Sequence, residues 1–303
     1  MKKVLLLPAI LTILTLACGV TIDLTPNAEN PTAETTPAFT EPATPTPEVF
    51  ISRTQAIPVT DLPTKTFEGL QVMVAPVSFV LPPGLANGVS GEQFPSTEGQ
   101  DLPYWELTPG HVEIKLEGYA LQNRFHEPKV YAYPAGAYAE MFPGAFESIR
   151  RLDNILYAPG GPTLNDELPT VPFFNAAQVF AANIQLISFQ NGGGVRFVTE
   201  YSQYFATINN TDLFYHFEGV TRDGAYYIVA ILPVSAPVLA ETSDYAATVP
   251  AGGIAPPDIN DPNANWKGYY DSVQTLLNNT SPESFQPALS QLDALIQSML
   301  VNP

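Results

Sequence analysis

Residues 226–232, Tyr-Tyr-Ile-Val-Ala-Ile-Leu, constrain the fold more than any other stretch of this chain. A strand sends alternate side chains to opposite faces. Here neither face is polar, so the strand must be covered on both sides. Ala225–Val234 follows Leu213–Gly219 across Arg222-Asp223-Gly224, a hairpin signal. Upstream, Ile184–Gln190 and Val195–Gln203 are strand-like and joined by Asn191-Gly192-Gly193-Gly194, and Asn209-Asn210 supplies a turn between the two pairs. The reading is a four-stranded antiparallel meander.

Helical periodicity supplies the cover. Trp266, Tyr269, Tyr270, Val273, Leu276 and Leu277 recur at helical spacing, as do Phe285, Leu289, Leu292, Ile296 and Met299. Ser281-Pro282-Glu283 is read as the start of the second of these helices. Pro143–Leu156 is a third helix, with Pro143 in its first turn, where a missing N–H costs little. Asn175–Ala182 is read as a short helix capped by Asn175. His111–Glu117 alternates as a half-buried strand, with Val112, Ile114 and Leu116 on one face. The expected fold class is α+β: an antiparallel meander sheet covered by helices, sandwich-like. Residues 235–262, rich in Pro and Gly, form a long connection of the kind that serves as a lid, a binding loop or an excursion.

The chain has one cysteine, Cys18, so no disulfide can brace the fold and an apolar core must hold it. With 17 Phe, 14 Tyr and 45% hydrophobic residues it has the material. Cys18 ends an apolar leader. Lys2 and Lys3 precede the run Val4–Leu16, which is shorter than the roughly 20 residues a helix needs to cross a bilayer core. Leu14-Thr15-Leu16-Ala17-Cys18 closes it. This stretch resembles bacterial lipoprotein signal peptides, with Thr15 where Leu is usual. The resemblance implies removal of residues 1–17, acylation of Cys18 with palmitate-type chains, and an extracytoplasmic protein anchored to the cell membrane or cell surface. Several acyl chains make a stable anchor where one is marginal. Gly19 stands where Asp retains such proteins in the inner membrane of two-membrane bacteria, a lean towards an outer location.

Residues 18–50 are a Thr/Pro-rich linker with Pro26, Pro31, Pro37, Pro42, Pro45 and Pro47. Few apolar side chains are available to compensate ordering, and proline at this density favours extended chain reaching up to about 90 Å. Residues 51–303 are expected to form a single α+β globular domain. The closing helix Leu292–Leu300 and the Asp223-Gly224-Ala225-Tyr226-Tyr227 turn are similar to the PsbP and Mog1-like α/β/α sandwich group. That likeness implies accessory and binding proteins with no shared catalytic site, so no residue role carries over.

The net charge is −18, and removal of Lys2 and Lys3 with the leader makes the remainder more acidic. That excludes nucleic acid as a partner, which needs clustered Lys and Arg. Gly192-Gly193-Gly194 has no Lys-Ser/Thr after it and is a turn, not a phosphate cradle. No Gly-x-Ser-x-Gly elbow is present. His111 with Glu113, and His216 with Glu218, each share one strand face. On neighbouring strands, the four could converge on a zinc site; alternation alone also produces such pairs. Asp258, Asp261, Asn263 and Asn265 carry part of a calcium-loop spacing, but Trp266 stands where such a loop needs Gly. The bland reading is a run of Asx turns. Of Tyr201, Tyr204, Phe205, Phe214, Tyr215, Phe217, Tyr226 and Tyr227, most belong to a core. The remainder could face a sugar or a peptide.

No cofactor is implied. The expected function is a membrane-tethered binding or interaction module with an envelope protein or glycan partner. The alternatives are an extracytoplasmic hydrolase using a carboxylate/His or metal site, and a structural envelope protein.

Overall fold

The computed structural model describes residues 66–157 and 168–302. The expected signal peptide, Cys18, and the linker lie outside them, as does the start of the domain at 51. All described residues belong to one compact unit. Among them, no helix is long and apolar enough to cross a membrane.

In chain order the strands are β1 (Leu70–Val74), β2 (Val77–Leu81), β3 (Gly88–Phe94), β4 (His111–Glu117), β5 (Lys129–Pro134), β6 (Ala177–Phe189), β7 (Gly192–Ser202), β8 (Phe214–Thr221), β9 (Tyr226–Pro233) and β10 (Leu300–Val301). The helices are α1 (Ala135–Met141), α2 (Pro143–Tyr157), α3 (Trp266–Asn279) and α4 (Leu289–Gln297). Seven strands make one antiparallel sheet in the order β3-β4-β5-β9-β8-β7-β6. It is two meanders sewn together, β3 to β5 and β6 to β9, along the antiparallel seam from Lys129↔Ile231 to Pro134↔Tyr226. A small sheet, β1-β2-β10, stands apart.

The seven-stranded sheet is covered on both faces, as β9 demands. On one face Tyr133, Phe197, Phe214, Tyr227 and Val229 pack against Ala145, Ile149, Leu152 and Ile155 of α2 and Tyr138 of α1. On the other, Ile114, Tyr215, Phe217, Ile228 and Ala230 pack against Val273 and Leu277 of α3, Leu292, Leu295 and Ile296 of α4, and Phe79 of the small sheet. Each such Val, Leu, Ile or Phe side chain, fully buried, contributes about 1.5–3 kcal/mol. The result is the expected α+β sandwich.

Several local readings need correction. Residues 177–182 are strand, not helix: β6 runs from Ala177 to Phe189, paired with β7 on both sides of two register shifts. The cross-strand partner on β7 overrides the weak helical preference of an Ala-rich segment. Its register shifts between Ala182 and Gln185, where Asn183 adopts a positive φ of 53°. The Asn183 amide side chain donates to Leu277 O at the end of α3 (2.8 Å), which offsets the break in the ladder.

The glycine run is strand as well, and the turn is Gln190-Asn191. A Cβ on Gly194 would fall 2.3 Å from Glu218 O and 2.5 Å from the Phe217 ring. Glycine is therefore required by close approach between β7 and β8.

Ser281-Pro282-Glu283 opens only a 3-10 turn, Pro282–Ser284, and α4 starts at Leu289. Pro287 lacks an N–H and disfavours helical backbone at the residue before it, so the helix cannot run through 285–287. Asn265 caps α3, its side chain accepting from Gly268 N at 2.9 Å.

Candidate functional site

His111 and Glu113 stand on the face of β4 that looks towards α1 and α2. Register places Phe94 opposite His111 and Tyr131 opposite Glu113. Cross-strand partners share a face, so β3, β4 and β5 bring Phe94, His111, Glu113, Tyr131 and Tyr133 together. Beyond β3 the chain forms a ribbon-like loop that turns through a 3-10 segment, Tyr104–Glu106, and is closed by the Thr97↔Thr108 bridge. Ribbon, sheet face and Pro172 enclose an open cleft of about 380 Å³. A second hollow of about 320 Å³ also touches His111, but its Gln93, Val112 and Ala132 belong to the opposite face of the sheet.

The cleft walls are aromatic. Phe94 and His111 stack at 5.7 Å, Tyr131 and Tyr133 at 5.8 Å with planes 5° apart, and His111 lies 4.6 Å from Tyr133. His111 Nδ1 lies 2.8 Å from Pro109 O, which can only accept, so Nδ1 carries the hydrogen. Nε2 is then left 3.4 Å from Glu113 Oε1, and it can donate there only when the ring is protonated. Lys129 Nζ meets Glu113 Oε2 at 2.9 Å and Glu127 Oε2 at 3.1 Å. Burial pushes the Glu113 carboxyl up, but the hydrogen bonds and charges of His111 and Lys129 outweigh it and hold the carboxyl below its ordinary range. Burial likewise opposes the Lys129 ammonium, and hydrogen bonds to Glu113 and Glu127 raise its pKa above the usual lysine value. Burial, then the Glu113 charge, pushes the Tyr131 phenol up to about 12. The cleft therefore presents a carboxylate backed by the Lys129 ammonium, and a neutral phenol, among aromatic rings.

His216 and Glu218 are fully buried on the same sheet face. β5 and β9 lie between their strand and that of His111 and Glu113, three strand spacings or about 14 Å. The neighbouring strands that a four-residue convergence needs are thus not there. Among the described residues no group of three or more His, Cys, Asp or Glu side chains could hold a metal ion. Glu218 instead accepts from Val171 N at 2.7 Å and, through Oε2, from the Tyr227 hydroxyl. His216 Nε2 lies 3.1 Å from Glu218 Oε1, but out of line for a hydrogen bond, and both ring nitrogens are without a hydrogen-bond partner. Val171 adjoins Pro172, so the buried carboxylate fastens the segment that forms one wall of the cleft.

The calcium-like run is built as Asx turns. Asp258 accepts from Asn260 N at 2.9 Å, Asp261 from Asn263 N at 2.9 Å, and Asn265 is the α3 cap. Arg196, which follows the glycines, is buried and ion-paired with Asp293. Of the eight aromatics in the meander, Phe214, Tyr215, Phe217 and Tyr227 are core, while Tyr204 and Phe205 are 71% and 63% exposed. Phe205 stacks on Trp266 at 5.7 Å, and the Tyr245 hydroxyl donates to Phe205 O. Residues 235–262 therefore pack towards α3, and the cleft is roofed by the 95–109 ribbon instead. Lys129, Tyr131, Tyr133, Phe94 and Pro172 escape the reading by sequence. The alternation Lys129-Val130-Tyr131-Ala132-Tyr133 carries the signal for three of them, since it repeats the polar-face pattern of His111 and Glu113.

Comparison of the chain with family models, with curated proteins and with solved structures finds no match.

Proposed function

We propose that the protein is a membrane-tethered extracytoplasmic lipoprotein that works as a binding module, with the cleft at His111 as its ligand site. The observation that carries the reading is the cleft itself: ring faces from three adjacent strands around the Glu113–Lys129 pair, open to solvent. Ligand sites combine apolar walls with a few placed polar groups in this way. Acylation at Cys18 and the linker would hold that site away from the membrane surface, and the acidic charge suits a protein kept soluble there.

Two measurements test the reading. Mass spectrometry of the mature N-terminus should show an acylated Cys18, and Cys18→Ser should release the protein from the membrane fraction. A fragment screen by ligand-observed NMR on the mature chain should give hits lost in Tyr131→Ala. An unmodified Cys18 thiol removes the tether, and a screen with no Tyr131-dependent hit removes the site.

A further inference from the structure

Resting on the reading of the His111 cleft as a ligand site, we infer that its ligand is a neutral, polyhydroxylated ring: a pyranose. Charge decides the class. The Glu113 carboxylate is matched by Lys129 Nζ at 2.9 Å, so it is not left as an open counter-charge for a cation. An anion would meet Glu113 and the neighbouring Glu127, and the ammoniums of Lys129 and Lys115 are already engaged by those carboxylates, at 2.9, 3.1 and 2.7 Å. A neutral ligand disturbs neither pairing.

Hydrogen-bonding chemistry narrows the class further. Each carboxylate oxygen of Glu113 has lone pairs beyond those facing His111 and Lys129. Tyr131 brings a phenol held protonated at neutral pH, and Thr97 and Thr108 bring hydroxyls to the cleft wall. Acceptors and donors are therefore both present at the opening, which matches hydroxyl groups that both donate and accept. Beside them the half-buried Tyr131 ring offers an apolar surface for the C–H face of a sugar ring, braced by the buried, parallel ring of Tyr133. The volume, about 380 Å³, suits one or two rings and no extended polymer.

The test uses the mature acylated chain in a detergent without a sugar headgroup, and saturation-transfer NMR. The probes are methyl glucoside, methyl galactoside and N-acetylglucosamine, with glucosamine and glucuronate as charged counterparts. A separate set of small aromatic acids and amines is run beside them. At least one neutral pyranoside should bind more tightly than both charged sugars. Its affinity should fall at least 10-fold in Tyr131→Ala and about 5-fold in Glu113→Gln, and Tyr131→Phe, which keeps the ring, should retain more of it than Tyr131→Ala. Melting temperatures verify that each variant is folded; if Tyr131→Ala is not, Glu113→Gln and Tyr131→Phe decide. Phe205→Ala, on the exposed aromatic patch by α3, should leave binding unchanged. Methyl glycosides that bind as well as free sugars assign a glycan end as the source; free sugars alone assign a monosaccharide.

Pyranosides that fail while aromatic acids or amines give Tyr131-dependent hits overturn the sugar assignment and leave the binding site standing. No hit in either set overturns both. Charged sugars binding tighter than neutral ones, or binding lost only in Phe205→Ala, overturn the assignment.

Discussion

Arg196 of β7 and Asp293 of α4 form a buried ion pair, Nε to Oδ1 at 3.2 Å and Nη2 to Oδ2 at 3.3 Å. The Tyr215 hydroxyl donates to the same carboxylate at 3.0 Å, and Arg196 also donates to Asn183 O and Gln185 Oε1. With Arg196 only 2% exposed, the pair pins the closing helix to the sheet from beneath.

Asp293→Ala should therefore destabilise the domain by about 3 kcal/mol, the lower end for a broken buried pair, since two neutral acceptors remain on the guanidinium. The double change Arg196→Met with Asp293→Leu should recover much of that loss, because it removes both charges from the interior. Urea midpoints of the two variants and the parent measure it.

Glu218 fastens the cleft-wall segment. Glu218→Ala leaves the Val171 N–H and the Tyr227 hydroxyl without their acceptor, a cost of about 3 kcal/mol. Glu218→Gln retains an acceptor and should cost less. Hydrogen exchange at the Val171 amide should accelerate strongly in the alanine variant and only slightly in the glutamine one.

His126 lies against Phe174 and Phe214, and burial followed by the nearby His216 pushes its pKa down to about 4 from 6.5. The unfolded chain then binds the proton first. Stability is fully present above pH 6.5 and is lost as pH falls towards 4, by about 3 kcal/mol in all. His126→Phe should flatten the melting temperature between pH 7 and pH 4.5; an unchanged slope would refute the assignment.

Glu200 titrates in the opposite sense. Burial holds its pKa well above the ordinary carboxyl value, against one hydrogen bond from Asn209 N, with Asp212 adding to the rise. Its folded form favours the proton, so its contribution is intact at low pH and is lost as pH rises. Glu200→Gln should raise the melting temperature more at pH 8 than at pH 5, by calorimetry at both.

The back half of the sheet was legible because its strands are long and local, each pairing with the next in the chain. β9 announced its two covers through its composition, and α2 and α3 through apolar spacing that matches Ile149, Leu152, Val273 and Leu277 in the core. Of the front half only β4 was legible, through the alternation over His111–Glu117. β1 and β2 are short and β3, Gly-Val-Ser-Gly-Glu-Gln-Phe, has little β character; it is strand because β4 pairs with it along its whole length. β6 misled because alanines favour helix in isolation, and only the β7 partner decides otherwise. At the site, the sequence picked out His111 with Glu113 and His216 with Glu218, and each pair lies within 3.4 Å. What it could not supply was strand order. β5 and β9 come between the pairs, and the tyrosines of β5 set the character of the cleft.

The pairing of β10 with β2 joins Leu300 to Ser78, 222 residues apart. During synthesis β2 emerges long before β10 exists to flank it. Until then β2 has one edge open and Val77 and Phe79 lack part of their cover. The small sheet is thus closed only after the rest of the domain has been made, by the strand that carries Leu300 and Val301.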